Sequence, residues 1–328
     1  MCAHYQMWVY KIPFIWYIQV SVIDTCFMIP EFPQFKKLEL ADKSDVETFT
    51  SRFPPYSDFN FVSMWCWDIK GEMRISQLNN NLVVRFTDYL TGDPFFSFLG
   101  DSKVNETVEA LLELSEKNGL GKQLKLIPDT LVLSINRSKF NITEDLDNFD
   151  YIFDLKEIST YVGNNFGKKR NKVNKFLKGI LDIKIKPLVL SDKNTQKEIL
   201  DLDELWLQNR ISQDVNFRFK NEFMATNRFL KNGPEEIVGI GIYCKNKLIA
   251  YSVSSILDEV FAISHFTKAD TNFIGVYEFL MRENAKFLIE KGCKYLNFEQ
   301  DLGLPGLRES KKSFLSYFMK KCIINFAS

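Results

Sequence analysis

The sequence predicts an α/β chain of mixed sheets, organised as two similar halves. Three observations carry this prediction. Short apolar or alternating runs recur between stretches with helical apolar spacing. Turn-forming clusters, Asn79-Asn80-Asn81 and Lys245-Asn246-Lys247, each separate two such runs, which is a hairpin signal. Each hairpin is followed by a third strand, an amphipathic helix and another strand. The length of 328 residues suits two domains. With 45% hydrophobic and 26% charged residues, the chain is globular in composition. The 42 basic and 42 acidic side chains cancel, which excludes a globally basic nucleic-acid glove but leaves room for a local phosphate-binding patch.

In the first half, 35–41 reads as a strand and 42–53 as a helix capped by Asp42 or Ser44. Pro54-Pro55 ends that helix, because proline lacks the N–H and restricts the residue before it. The run 59–67 is aromatic and reads as core. Segments 72–77 and 82–87 form the hairpin, and 95–99 is a buried strand. Apolar residues at 104, 108, 111, 112 and 114 give 104–117 a helical stripe, ended by Asn118-Gly119. A strand at 124–127 follows, and the acidic run 141–150 reads as a connector.

The second half repeats the theme. It has a strand at 151–155, a basic helical region at 156–179, a strand at 183–190 and a largely helical stretch at 195–230. The hairpin is 239–244 with 248–256. Then come a strand at 260–266, an amphipathic helix at 274–291, a strand at 294–298 and a mixed terminal segment at 314–324. A hairpin followed by a strand–helix–strand crossover is the element order of a GNAT-type acyltransferase. The chain therefore reads as two tandem GNAT-like units, 28–150 and 151–328, with the catalytic cleft in the second. Residues 1–27 are an apolar extension. Its uncharged run between Lys11 and Asp24 holds only 12 residues, short of the roughly 20 that a membrane-spanning helix needs. Three readings stand for it: an element packed on the body, an interfacial anchor, or a dispensable stretch ahead of a start at Met28.

Six cysteines without a CxxC spacing read as reduced thiols of a cytoplasmic protein, and two histidines are too few for a multi-histidine metal centre. No metal ligand set is expected. Three segments can carry chemistry. Residues 161–178 begin with Gly163 and Gly167 and then place Lys168, Lys169, Arg170, Lys172, Lys175 and Lys178 within eleven residues without an acid. Such a segment suits an anion, either an RNA backbone or an anionic lipid head group. Residues 294–313 run from a short strand into Glu299 and Asp301, then Gly303, Pro305 and Gly306, then Arg308 and Lys311. Acids at a strand's C-terminal edge before a glycine-rich turn are where α/β proteins build sites. Residues 263–277 place His265 on a strand, with Lys268 at its end. Their only glycine, Gly275, gives poor support to the Gly-rich pyrophosphate cradle of a CoA-dependent enzyme.

Together these segments resemble the family of the phosphatidylglycerol lysyltransferase C-terminal domain. The resemblance rests on Tyr56-Ser57-Asp58-Phe59-Asn60 with Trp65 and Trp67, on the run from Gly167 to Phe176, on Ser264-His265-Phe266-Thr267-Lys268-Ala269, and on the run from Glu299 to Lys311. It covers about residues 30–325. It implies a tandem GNAT fold, similar to transferases that take an aminoacyl group from charged tRNA and modify lipids or cell-wall peptides. The family's pattern leads us to expect an acid where this chain has Thr267, and the large transmembrane domain of the lysyl-lipid synthases has no counterpart in these residues. The expectation is an aminoacyl or acyl transferase, without CoA, using aminoacyl-tRNA and an anionic lipid or membrane surface as partners. Asp301 would position or deprotonate the nucleophile. Arg308 and Lys311 would steady phosphate or oxyanion, with Glu299 and His265 assisting. Lys168, Lys169, Arg170, Lys172 and Lys175, with Lys268, would hold the donor's phosphates. The competing readings are a non-catalytic scaffold that binds RNA or an anionic membrane, and a CoA-dependent N-acyltransferase.

Overall fold

The structure is a computed structural model; it describes residues 4–12, 15–23, 29–180, 182–213, 220–233 and 237–327. At the N-terminus, β1 (His4–Ile12) pairs antiparallel with β2 (Ile15–Ile23) in a two-stranded sheet of their own. The first half follows with β3 (Lys36–Lys37), α1 (Lys43–Thr50), α2 (Phe61–Trp67), β4 (Arg74–Leu78), β5 (Asn81–Thr87), β6 (Pro94–Leu99), α3 (Val104–Lys117), β7 (Gln123–Pro128) and β8 (Phe140–Glu144). The second contains β9 (Asp150–Asp154), α4 (Leu155–Thr160), α5 (Gly167–Gly179), β10 (Ile183–Pro187), α6 (Lys193–Gln213), α7 (Lys220–Asn232), β11 (Ile237–Cys244), β12 (Lys247–Ile256) and β13 (Phe261–Ala269). It closes with α8 (Val276–Glu290), β14 (Tyr295–Asn297), α9 (Pro305–Lys312), β15 (Tyr317–Met319) and β16 (Lys321–Phe326).

Both hairpins form where the turn clusters sit. Asn79, Asn80, Lys245 and Asn246 all take positive φ, which tight two-residue hairpin turns demand. Helix α3 forms because Val104, Val108, Leu111 and Leu112 share one face, which is buried against Phe96, Phe98 and Ile127. The sequence reading differs from the structure in three places. The strand expected at 35–41 is only two residues long and gives way to a 3-10 turn, Leu40–Asp42, stabilised by the Asp42 carboxylate accepting the Glu39 N–H. The basic region at 156–179 is two helices, because Tyr161 and Gly163 take positive φ and end the first. The acidic run at 141–150 is no simple connector: most of β8 lies in it, paired along β16, followed by a 3-10 turn, Leu146–Asn148. Its alternating polar residues hid a strand.

The order of strands in space differs from their order in the chain. One sheet runs β3-β4-β5-β6, a second β7-β16-β8, and the seven-stranded sheet β10-β11-β12-β13-β14-β9-β15. The strand that follows β8 in sequence, β9, lies between β14 and β15 of the second half. The last strand, β16, lies between β7 and β8 of the first. The first half is thus completed by the last strand of the chain, which crosses over from the second.

Buried charge accompanies this crossing. Lys321 on β16 is buried, and its Nζ donates to Asp150 Oδ1 on β9 at 2.7 Å and to Asp58 ahead of α2. Asp150 also accepts the Ser57 N–H at 2.8 Å, the Ser57 hydroxyl at 2.6 Å and Asn297 Nδ2 at 3.0 Å. Asp58 accepts Gln300 Nε2 at 2.9 Å and Tyr89 Oη at 3.1 Å. Burial works to discharge Lys321, but Asp150 and Asp58 outweigh it and hold the ammonium above its ordinary value. Replacing Lys321 with Met should strand two buried carboxylates and cost roughly 3–5 kcal/mol of stability. Urea unfolding should show that loss in one cooperative step, because β16 and β9 tie the halves together.

Candidate functional site

The site grows out of an irregular strand. β13 pairs in parallel with β14 only through Phe261, Ala262 and Ile263, opposite Tyr295, Leu296 and Asn297. Beyond that point β14 ends while β13 continues to Ala269, leaving its edge without a parallel neighbour. On the other side, the register with β12 jumps from Val253 opposite Phe266 to Ser254 opposite Ser264. His265 is the extra residue of this β-bulge, a device that redirects a side chain. Its Nε2 lies 2.6 Å from Ser255 Oγ, and its Nδ1 lies 3.3 Å from Ser63 Oγ and 3.8 Å from Glu299 Oε1. The Ser63 hydroxyl donates to the same Glu299 oxygen at 3.2 Å.

Each member is held from behind. Ser63 sits in the first turn of α2, where the Asn60 side chain caps the N–H groups of Val62 and Ser63. Glu299 follows β14 with φ 55°, a left-handed conformation uncommon for a side chain of its size. Its N–H donates to Asn297 Oδ1 at 2.8 Å. The His265 side chain is only 2% exposed, whereas that of Glu299 is 18% exposed, so the carboxylate is the part of this trio that meets solvent. Thr267, where the resemblance leads one to expect an acid, bonds through its hydroxyl to Ser252 at 2.9 Å and Ser264 at 3.0 Å.

Asp301 has a different environment. Its carboxylate is buried and takes four bonds: Arg308 Nε at 2.8 Å, Arg308 Nη2 at 2.7 Å, Tyr151 Oη at 2.5 Å and the Gly303 N–H at 2.8 Å. Burial alone raises such a group, but the bonds from Arg308, Tyr151 and Gly303 outweigh it and hold Asp301 below the usual carboxylate range. A carboxylate with its lone pairs filled is a poor proton acceptor. The geometry therefore gives Asp301 the work of fixing the turn after β14. Arg308 is committed to that turn too, because Nη2 also binds Asp147 Oδ1 at 2.6 Å. Lys311 is buried and donates to the carbonyls of Phe298 at 2.5 Å and Gln300 at 2.7 Å, bracketing Glu299. Burial pushes its ammonium down to about 8.

Lys268 is pinned by an ion pair to Glu222 on α7, 4.1 Å over the Trp206 ring. On α5 the expected anion-binding set divides. Lys169 is buried, donates to Ser313 Oγ at 2.6 Å and lies 3.8 Å over the Phe314 ring. Arg170 binds the carbonyls of Tyr161 and Gly163, and Lys172 pairs with Glu278 at 2.6 Å. Lys168 and Lys175 lie exposed, and Lys175 joins Lys178 at the rim of an open depression of about 560 Å³. Among the described residues, no group of three or more His, Cys, Asp or Glu is placed to hold a metal ion. No helix among them is long and apolar enough to cross a membrane. Sequence reasoning missed Ser63 and Ser255, since nothing local marks a serine that a distant element will meet.

A hairpin, a parting pair of parallel strands and an intervening helix, as the second half has them, define the GNAT-type acyltransferase fold; the first half repeats the hairpin, strand, helix and strand in the same chain order. The chain belongs to the family described as phosphatidylglycerol lysyltransferase, C-terminal, whose model matches residues 50–324. A conserved protein of unknown function from Bacteroides thetaiotaomicron VPI-5482 is similar in structure at 24% identity and a TM-score of 0.77, covering 92% of this chain and 100% of its own. The C-terminal domain of a putative lysylphosphatidylglycerol synthetase from Agrobacterium fabrum follows at 12% identity and 0.60, covering 87% and 92%. L-PGS from Bacillus licheniformis is similar at 12% and 0.56, covering 87% and 91%. No curated protein matches the sequence.

Two outcomes follow. Asp301→Asn should lose about 1.5–3 kcal/mol of stability, the range for hydrogen bonds to a charged group, measured by urea denaturation at pH 7. Lys311 binds its proton more weakly in the folded chain than in the unfolded one, so its contribution to stability rises with pH between about 8 and its ordinary value near 10.5. Wild type should therefore gain on Lys311→Met as denaturation is repeated from pH 8 to pH 10.

Proposed function

We propose that this protein is an acyltransferase that moves an aminoacyl group from aminoacyl-tRNA to a hydroxyl or amine, with a lipid as the favoured acceptor. The observation that carries the reading is the Ser63–His265–Glu299 cluster at the parting of β13 and β14. In this reading the acceptor oxygen or nitrogen attacks the carbonyl carbon of the aminoacyl ester. The bond from that carbon to the tRNA ribose oxygen breaks. Glu299 takes the acceptor's proton, which finally resides on the freed ribose hydroxyl. Glu299 suits this task because it is partly open and its carboxylate is held by one weak bond from Ser63, with His265 behind. Positioning and electrostatics supply the rate, and no covalent enzyme intermediate is needed.

The family supports aminoacyl chemistry, since two relatives above carry a lysylphosphatidylglycerol synthetase description or the name L-PGS. A local contact weighs against CoA. Gly275, at the start of α8, has φ 88°, and a Cβ there would stand 2.3 Å from the Lys172 carbonyl oxygen. This tight packing of the start of α8 on α5 supports a reading without CoA, whose pyrophosphate a helix start would cradle. For the acceptor, α5 carries Lys168, Lys175 and Lys178 exposed, together with Leu177 (41% exposed), and two more exposed aliphatic side chains stand just ahead of α5 and α8 in the chain: Val162 (75%) and Ile274 (59%). Cations interleaved with aliphatic groups fit the interface of an anionic bilayer better than an RNA backbone, so we assign this face to peripheral membrane contact from the cytoplasmic side.

The test is transfer from a pool of radiolabelled aminoacyl-tRNAs to vesicles of phosphatidylglycerol in phosphatidylcholine. Label should enter the lipid phase, excess CoA should not compete, and His265→Gln should slow transfer at least tenfold. Vesicle binding without labelled lipid, across all amino acids, would favour the non-catalytic scaffold instead.

A further inference from the structure

The first half carries a row of cations that the chemistry at Glu299 does not use. Across β3, β4 and β5, Lys37 lies directly opposite Arg74, and Arg74 directly opposite Arg85. The three side chains therefore share one face of the sheet, in a line. Like charges set opposite one another repel. Yet none of the three forms an ion pair among the described residues. Arg74 Nη1 donates instead to the carbonyls of Gly71 and Met73, each at 2.9 Å, and Arg85 Nη1 to the carbonyl of Glu72 at 3.3 Å. Lys37 reaches the same loop: Gly71 has φ 66°, and a Cβ there would stand 2.7 Å from Lys37 Nζ. Lys70 is the neighbour of that glycine in the chain, and it is exposed, as is Lys37; Arg74 and Arg85 are half-buried. The buried acid of the loop, Asp68, uses Oδ1 to accept the N–H groups of Glu72 and Met73, at 2.7 and 2.9 Å, and its Oδ2 meets no cation. Lys36, on the opposite face, shows the contrast, with Asp42 Oδ1 at 2.7 Å.

We propose that this row docks the phosphodiester backbone of the donor tRNA. The choice of tRNA rests on the aminoacyl-transfer reading above, whereas the preference for an anion rests on the row itself. Cations gathered on one loop with no carboxylate paired to them repel one another until an anion lies among them. Neighbouring strands lie about 4.8 Å apart, so Lys37 to Arg85 spans roughly 10 Å, the length of about two or three phosphates on one strand. Two of the three are arginines, whose planar forks leave further N–H groups for phosphate oxygens. A sheet also holds its charges in a fixed line, which matches a linear array of phosphates. The exposed lysines of α5 are instead joined by Leu177 on their own helix, and that mixture belongs to a membrane surface. The two basic surfaces thus divide between donor and acceptor.

The test is filter binding of the full chain to uncharged total tRNA across a salt series. Lys37→Gln and Arg85→Gln should each weaken binding severalfold and lower the slope of log affinity against log salt by about one, the signature of a lost phosphate contact. Lys37 is exposed, so its variant covers the case in which Arg85→Gln does not fold. Lys247→Gln, which removes an exposed charge from the start of β12 in the second half, should change neither quantity. Absence of tRNA binding by wild type at low salt, unchanged binding by Lys37→Gln, or an equal loss in Lys247→Gln would overturn the inference. So would weaker binding of Lys37→Gln to phosphatidylglycerol vesicles with tRNA binding intact, which would give the row to lipid. If tRNA binding depends on the row but no aminoacyl group is transferred, the proposed reaction falls and this surface stands.

Discussion

The ion triad of Lys321 with Asp58 and Asp150 is the constraint on which the rest of this molecule depends. A lysine and two aspartates withdrawn from water are tolerable only if all three arrive together. Lys321 rides on β16, Asp150 on β9 and Asp58 ahead of α2. Their meeting fixes β16 among the strands of the first half and β9 among those of the second. The neighbours of the triad, Ser57, Asn297 and Gln300, extend the same network to the loop after β14. The loop that carries Glu299 is therefore positioned by charges buried between the halves.

This explains why the site is shared. Ser63 comes from the first half and His265 and Glu299 from the second, yet all three converge within hydrogen-bonding or near-contact distance. The same loop separates two carboxylates that are only two residues apart in sequence. Glu299, turned by a left-handed backbone, keeps an open oxygen. Asp301 is enclosed by Arg308, Tyr151 and the Gly303 N–H. Side chains of one chemical class thus divide into a partly open carboxylate, the proton acceptor of the proposed reaction, and a structural clamp. The lysines of α5 divide in the same manner, by which face of the helix each occupies.

Periodicity and turn chemistry made most of the architecture legible. The hairpins, α3, α8 and the strand–helix–strand order follow from local spacing, and from them the GNAT-type fold. The crossing of β16 into the first half was not legible, because strand partnership between distant segments leaves no mark on either sequence. At the site, the segments containing His265, Glu299, Asp301, Arg308 and Lys311 could be named in advance from charge density beside constrained backbone. Their division of labour could not, since it depends on Tyr151, Ser63 and Ser255, each brought from elsewhere by the fold. The bulge at His265 was equally hidden, as a strand histidine among apolar neighbours reads the same with or without an extra residue opposite it.

The central claim is that Glu299, and not Asp301, handles the proton. The most direct measurement is the single-turnover transfer rate of Glu299→Gln and Asp301→Asn, each normalised to its folded fraction. The account predicts a loss on the order of 100-fold or more for Glu299→Gln, in the range of a removed general base, with near-normal turnover in the Asp301→Asn molecules that remain folded. Full activity in Glu299→Gln beside a dead but folded Asp301→Asn would contradict it.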